Sequence, residues 1–255
     1  MRITNRFVFV VPMFNASKTL PQMLHSVVGQ SYPNWKVILI DDVSDKYEQV
    51  ECNGIIFGFR ELMSRCSDDP NKINITWNSD GRGKRWETEN VLYGVSICDD
   101  DDIIVRLDAD DHISDMDALW ILNEAYDKHG VDCLWTAHRW FDSERLTNIS
   151  ISGPLSNDDD PYQTQWKSSH MKTFRKRLLN GVNDLNFRDK DGEYIRRAGD
   201  QAIFLPVLHQ SRSRGFLNVV MYSYRCEMKN ETFESDDAKE QKLEAEFLRR
   251  RGFVE

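Results

Sequence analysis

The chain has 255 residues, 40% apolar and 29% charged, a balance that fits one large folded α/β domain and excludes disordered or fibrous classes. Its 33 Lys/Arg against 42 Asp/Glu give a net charge of −9, so on average it repels nucleic acid. No run reaches the ~18 apolar residues needed to cross a bilayer, and Pro12 and Asn15 interrupt the apolar stretch near Phe7 that superficially imitates a signal peptide.

The first third alternates strand and helix signals joined by short links, the pattern of βαβ units on a mostly parallel sheet. Residues 7–11 read as a buried strand. Ser17 reads as the cap of a helix whose Leu20, Met23, Leu24, Val27 and Val28 recur along one face. A second strand over residues 36–40 runs into Asp41-Asp42, and residues 73–77 give a third. A helix over residues 88–97 leads through the acidic turn Asp99 to Asp102 into a strand at 103–107. That strand ends in Asp108-Ala109-Asp110-Asp111. Further on come a helix over 115–128, a strand over 132–137 and a polar loop over 152–165. Helices over 169–180 and 199–210 and a strand over 217–222 follow. The last helix reads from a Ser235 cap through Asp236 and Asp237 to Arg249 to Arg251, and Gly252 stops it.

No repeat or linker interrupts the chain. The expected division is one domain over residues 1–232, with a ligand-binding part at 1–112 and a second part at 113–232, then a C-terminal helix at 233–255. Five scattered cysteines without a CxxC pair fit reduced thiols in a cytoplasm and no zinc module. Charge is uneven: residues 167–214 hold eleven Lys/Arg against five Asp/Glu, a local +6, while the remainder carries −15. An anionic partner would meet this half.

Two strands deliver carboxylates at their C-terminal ends, where open α/β sheets bind ligands. Asp108 and Asp110 can hold a hard cation, Mn²⁺ or Mg²⁺ rather than zinc, whose open positions take phosphate oxygens. Leaving carboxylates uncompensated at a buried strand end is costly, whereas Asp99 to Asp102 reads as a solvated turn. Asp41 and Asp42 are acceptor-only groups suited to ring N–H and hydroxyl donors, or else turn and cap residues. Pro12, Phe14 and Asn15 occupy the equivalent place after the first strand. The segment Gly81-Arg82-Gly83-Lys84-Arg85 is a basic loop that either neutralises a diphosphate or lies on the surface; it matches neither GxGxxG nor a P-loop. Trp135, Trp140 and Trp166 read as packing residues.

Taken in order, Pro12-x-Phe14-Asn15, the run from Ser26 through Gln30, Tyr32 and Asn34 to Asp41-Asp42, and Leu107-Asp108-Ala109-Asp110-Asp111 resemble glycosyltransferase family 2. The resemblance covers about residues 6–112. It implies the GT-A fold, a Rossmann-like α/β architecture with a mostly parallel central sheet and a C-terminal helical elaboration. It also implies an inverting hexosyl or pentosyl transfer from a nucleotide sugar, a UDP-sugar being the expected donor. On this resemblance Asp41 lies near the base, Asp108 with Ala109 near the ribose, and Asp110 on the metal. Asp42, Arg85 and Asn90 belong to the donor site. Val43 stands where the family usually has Gly, and Glu89 where Arg is common. Gly199-Asp200-Gln201 is similar to the family's late acidic element, which makes Asp200 the expected general base.

A shorter resemblance around Ser169-His170 to Arg175 is to a bacteriophage and giant-virus branch. It adds His170 as a contact to diphosphate or metal. If that stretch is helical, Lys172, Arg175 and Lys176 share a face. Two acceptors stay open, a glycan or a hydroxylated base of phage DNA. So do two other classes, a nucleotidyltransferase and a non-catalytic nucleotide-sugar binder.

Overall fold

The computed structural model describes residues 2–79, 81–141, 152–225 and 236–255. Four strands form its parallel half: β1 (Phe7–Met13), β2 (Trp35–Asp41), β3 (Ile73–Trp77) and β4 (Ile103–Arg106), arranged β3-β2-β1-β4. The sheet continues through β7 (Lys172–Arg175), β6 (Cys133–Phe141), β8 (Arg214–Arg225) and β5 (His112–Ile113), in that spatial order. Here β7 runs antiparallel to β4 and β6, while β6 and β8 are parallel. The helices are α1 (Leu20–Val28), α2 (Lys46–Arg65), α3 (Trp86–Ser96), α4 (Ala118–His129), α5 (Gly199–Gln210) and α6 (Asp236–Arg251). Among the described residues, no helix is long and apolar enough to cross a membrane.

Successive strand side chains point to opposite faces, and here both faces are covered, which is why the strands read as continuous apolar runs. Phe9, Val11, Leu39 and Val105 pack with Leu24 of α1, Ile56 of α2 and Leu122 of α4. Val10, Ile40 and Ile104 pack on the other side with Val91 and Val95 of α3 and Phe204 and Val207 of α5. The approach of α3 is close enough to require Gly94, since a Cβ there would lie 2.6 Å from Val10 Cγ1 and 2.7 Å from Ile40 Cδ1. A smaller cluster joins Ala202 and Leu205 of α5 to Leu248 of α6.

The strand and helix order expected for the first third is observed, as is the 199–210 helix. Two local expectations are corrected, and one helix was not anticipated. Residues 169–180 are not a helix: they form β7 and a short 3-10 turn, Lys176–Leu179, so Lys172, Arg175 and Lys176 share no helical face. Ser17 does not cap α1, which begins at Leu20 after Thr19; its N–H donates to Glu48 Oε2. The twenty-residue α2 has only Cys52, Ile56 and Met63 buried, too sparse an apolar stripe to announce it. Trp135 is fully buried and Trp166 packs against the same apolar cluster, near Phe204, whereas Trp140 is exposed. Ser235 and Cys226 lie outside the described residues.

Candidate active site

The C-terminal ends of β1, β2 and β4 open into a cleft of about 640 Å³. Its walls carry Pro12, Phe14, Asp42, Asn90, Asp108, Asp110, His170 and Asp200 from the sequence-predicted set. They also carry Lys84, Trp86, Glu87, Arg196, Arg197, Tyr224, Asp237 and Gln241. Asn15, Asp41, Arg85 and Ala109 stand behind this lining.

At the end of β4, Asp108, Asp110 and Asp111 bring carboxylate oxygens within 4.8 Å of one another. Arg106 fixes the first of these. Its guanidinium is nearly buried and donates from Nη2 to Asp108 Oδ1 (2.8 Å) and to Glu87 Oε1 (2.5 Å), and Nη1 donates to Leu107 O. Asp111 is fixed from the other side. Tyr222 donates to its Oδ2 at 2.7 Å and the Arg225 N–H to its Oδ1 at 2.7 Å, while Arg225 Nε donates to Asp110 O. Three neighbouring carboxylates, two of them fixed in this way, suit a hard ion such as Mn²⁺ or Mg²⁺ better than a thiophilic one. His170 is not in this carboxylate group. Its ring stacks on Tyr222 (4.6 Å between centroids) and Tyr224 (5.2 Å) in the cleft wall.

At the end of β2, Asp41 is completely buried. Its Oδ2 accepts from the Ser44 N–H (3.0 Å) and its Oδ1 has no hydrogen-bond partner, an arrangement that leaves an acceptor in reserve. Asp42 accepts the N–H groups of Arg85 (2.7 Å) and Trp86 (3.1 Å), tying the basic loop to the sheet. Asn15 is tied to Ser44 and Asp45. Val43 sits at φ 62°, the left-handed region, which is the physical reason glycine suits this position. In the basic loop, Lys84 Nζ lies 3.1 Å from the centroid of Phe14. Glu89 lies 3.3 Å from Arg82 and 3.9 Å from Arg85, so the acid found in place of an arginine holds the loop by charge.

Asp200 enters from α5, within the first helical turn. Its Oδ1 accepts from the Gln201 N–H at 2.7 Å and its Oδ2 lies 3.7 Å from Lys172 Nζ. Glu87 is close enough that the charges of Asp108 and Asp200 act on it. Burial chiefly raises its carboxyl above the usual range, and Arg106 opposes that shift. The segment leading into α5 is clamped by α6, where Glu244 accepts the N–H groups of Arg196 (3.0 Å), Arg197 (2.7 Å) and Ala198 (2.9 Å). Arg197 also pairs with Asp237 at 2.5 Å.

The sequence reading did not single out Glu87, Trp86, Arg106 or Glu244. Arg106 carried one signal: a lone cation inside an otherwise apolar strand needs a buried acidic partner. The others depend on contacts between distant segments.

A mixed, mostly parallel sheet with helices on both faces, and acidic groups gathered in one cleft at its strand ends, is the arrangement of the GT-A class of transferase fold. The Glycosyl transferase family 2 profile matches residues 8–187, and the chain belongs to this family of glycosyltransferases. No match was found among curated protein sequences. Among solved structures, S. aureus TarS is similar at 17% identity with a TM-score of 0.66, over 95% of this chain and 43% of that one. TarS residues 1–349 in complex with UDP is similar at 17% identity with a TM-score of 0.62, over 96% of this chain and 71% of that one. The chain thus spans less than half of the longer TarS chain. A mannosyltransferase from Pyrobaculum calidifontis in complex with GDP-Man and Mn²⁺ is similar over 69% of this chain, at 15% identity and a TM-score of 0.47.

Proposed function

We propose that this glycosyltransferase moves a sugar from a nucleotide-sugar donor, a UDP-sugar first among them, to an acceptor hydroxyl with inversion at the anomeric carbon. One observation carries the reading: Asp108 and Asp110 from the end of β4 and Asp200 from α5 line the same cleft. Inversion needs the acceptor to attack opposite the leaving nucleotide, and Asp200 is the carboxylate that takes the acceptor's proton as the new bond forms. Asp42, which lines the cleft in front of the buried Asp41, is the acceptor for a base N–H, and Phe14, Asn90 and Asp108 hold the rest of the nucleoside. Asp110, with Asp108 and Asp111 beside it, is the proposed seat of a divalent cation, and His170 is a wall contact to the diphosphate. Such a cation, when bound, supplies positive charge to the leaving diphosphate.

The acceptor is proposed to be a saccharide hydroxyl. Ion pairs with acids outside the window offset much of the local +6 of residues 167–214: Lys176 meets Asp100, Arg177 meets Asp101 and Asp132, and Arg197 meets Asp237 and Glu240. A DNA acceptor would instead require free cations along a phosphate track and affinity that falls steeply with salt.

The test is product analysis with Mn²⁺ and UDP-, GDP-, CMP- and TDP-sugars. Release of a nucleoside diphosphate or monophosphate supports transfer. Pyrophosphate release would mark a nucleotidyltransferase, and donor binding without turnover a passive binder.

A further inference from the structure

The antiparallel register of β4 and β7 places Arg106 directly opposite Lys172. Directly opposed residues share a face of the sheet, and like charges so placed repel. Both side chains are also nearly removed from water, at 5% and 2% exposure. Such a pair is tenable only where carboxylates face it. Arg106 has two, Glu87 and Asp108. For Lys172 the facing acid is Asp200, and Nζ has no hydrogen-bond partner to share the charge. The nearby His138 ring is held neutral by its burial and by the Lys172 charge itself, so it adds no third cation to the pair.

Asp200 has a competing attraction. A carboxylate in the first turn of a helix is drawn back toward the free N–H groups of that turn. Its Oδ1 already follows that pull by accepting from Gln201, whereas Oδ2 faces Lys172.

We propose that Lys172 is a positioning residue: its buried ammonium draws Asp200 Oδ2 away from the first turn of α5, against the pull that turn exerts on Oδ1, and so fixes the orientation in which the carboxylate meets the cleft. The proposal rests on Asp200 as general base. It assigns to β7 a role for Asp200 parallel to the one Arg106 plays for Asp108.

The test is a pair of double-variant cycles on the full chain with Lys172→Met, Asp200→Asn and their combination. In thermal unfolding, Asp200→Asn alone strands a buried ammonium and lowers Tm by roughly 5 °C. The combined variant recovers most of that loss. Additive losses would overturn the proposal. In turnover, the readout is nucleoside diphosphate release with Mn²⁺, water as acceptor, and whichever of UDP-glucose, UDP-N-acetylglucosamine or GDP-mannose the wild type hydrolyses. Lys172→Met lowers kcat by about 10- to 100-fold, leaves the donor KM unchanged, and causes no further loss once Asp200 is Asn. A loss that persists in the Asp200→Asn background overturns the proposal. Full turnover by Asp200→Asn with thermal coupling intact removes the general-base reading instead, and leaves the ion pair purely structural.

Discussion

Gly199, at the start of α5, packs so tightly on Glu87, at the start of α3, that a Cβ at Gly199 would lie 2.7 Å from Glu87 Cδ. Glu87 has little room to yield because Arg106 grips its carboxylate, and Thr88 Oγ1 would stand 3.0 Å from the same Cβ. The contact brings the residue before Asp200 against the acid that touches the Arg106 network.

Gly199→Ala is therefore expected to cost about 1–3 kcal/mol and to lower turnover by displacing Asp200. Gly54→Ala is the control. It lies within α2 with nothing within 4 Å of the added carbon, so stability should rise by up to about 1 kcal/mol. Urea unfolding of both variants checks the pair, and equal effects would count against the α3–α5 contact as described.

Asp110→Ala should remove the joint effect of Mn²⁺ and UDP on thermal stability. In the wild type, ligand at a hundred times its Kd adds about 2.7 kcal/mol. In the variant the Tm rise with both present should fall to that with UDP alone. An undiminished rise would take Asp110 off the metal.

Val43 holds a left-handed backbone conformation at φ 62° while 39% exposed, so burial offsets the strain only in part. Val43→Gly should stabilise the fold by about 1 kcal/mol, seen as an increased midpoint in urea. A loss of stability would mean that the isopropyl group makes contacts worth more than the strain.

His138 is buried against β7 and held neutral, its pKa lowered to about 4 by burial first and the Lys172 charge second. The unfolded chain, with an ordinary histidine near 6.5, binds the proton that the folded chain refuses. Stability is therefore full above about pH 6.5 and falls as pH drops toward 4, by about 2 kcal/mol between pH 7 and pH 5. Replacing His138 by Gln should flatten that part of the pH–stability curve. An unchanged slope would assign the acid sensitivity to other groups.

Much of the fold was legible because β1, β2 and β4 are buried on both faces and so appear as largely apolar runs, two of which, β2 and β4, lead into acids. The same logic failed at β7, whose Lys-Thr-Phe-Arg sequence hides a strand with an inward cation. That lysine is polar because of what it faces, and nothing local in the chain says what that is. The meeting of Asp108, Asp110 and Asp200 in one cleft was legible from motif and order. Glu87, Arg106 and Glu244 were not, since each gains its meaning from a partner 2 to 48 residues away in sequence.

The two-sided sheet has a further consequence for reading variants of this protein. Odd and even positions along β1 report to different audiences. A truncation at Val11 loosens the layer of α1, α2 and α4, which bears no acid of the cleft, while one at Val10 is felt first by α3, through Gly94, and so by the wall bearing Glu87 and Asn90. Neighbouring residues of equal size and burial should thus separate general loss of folding from selective damage to chemistry.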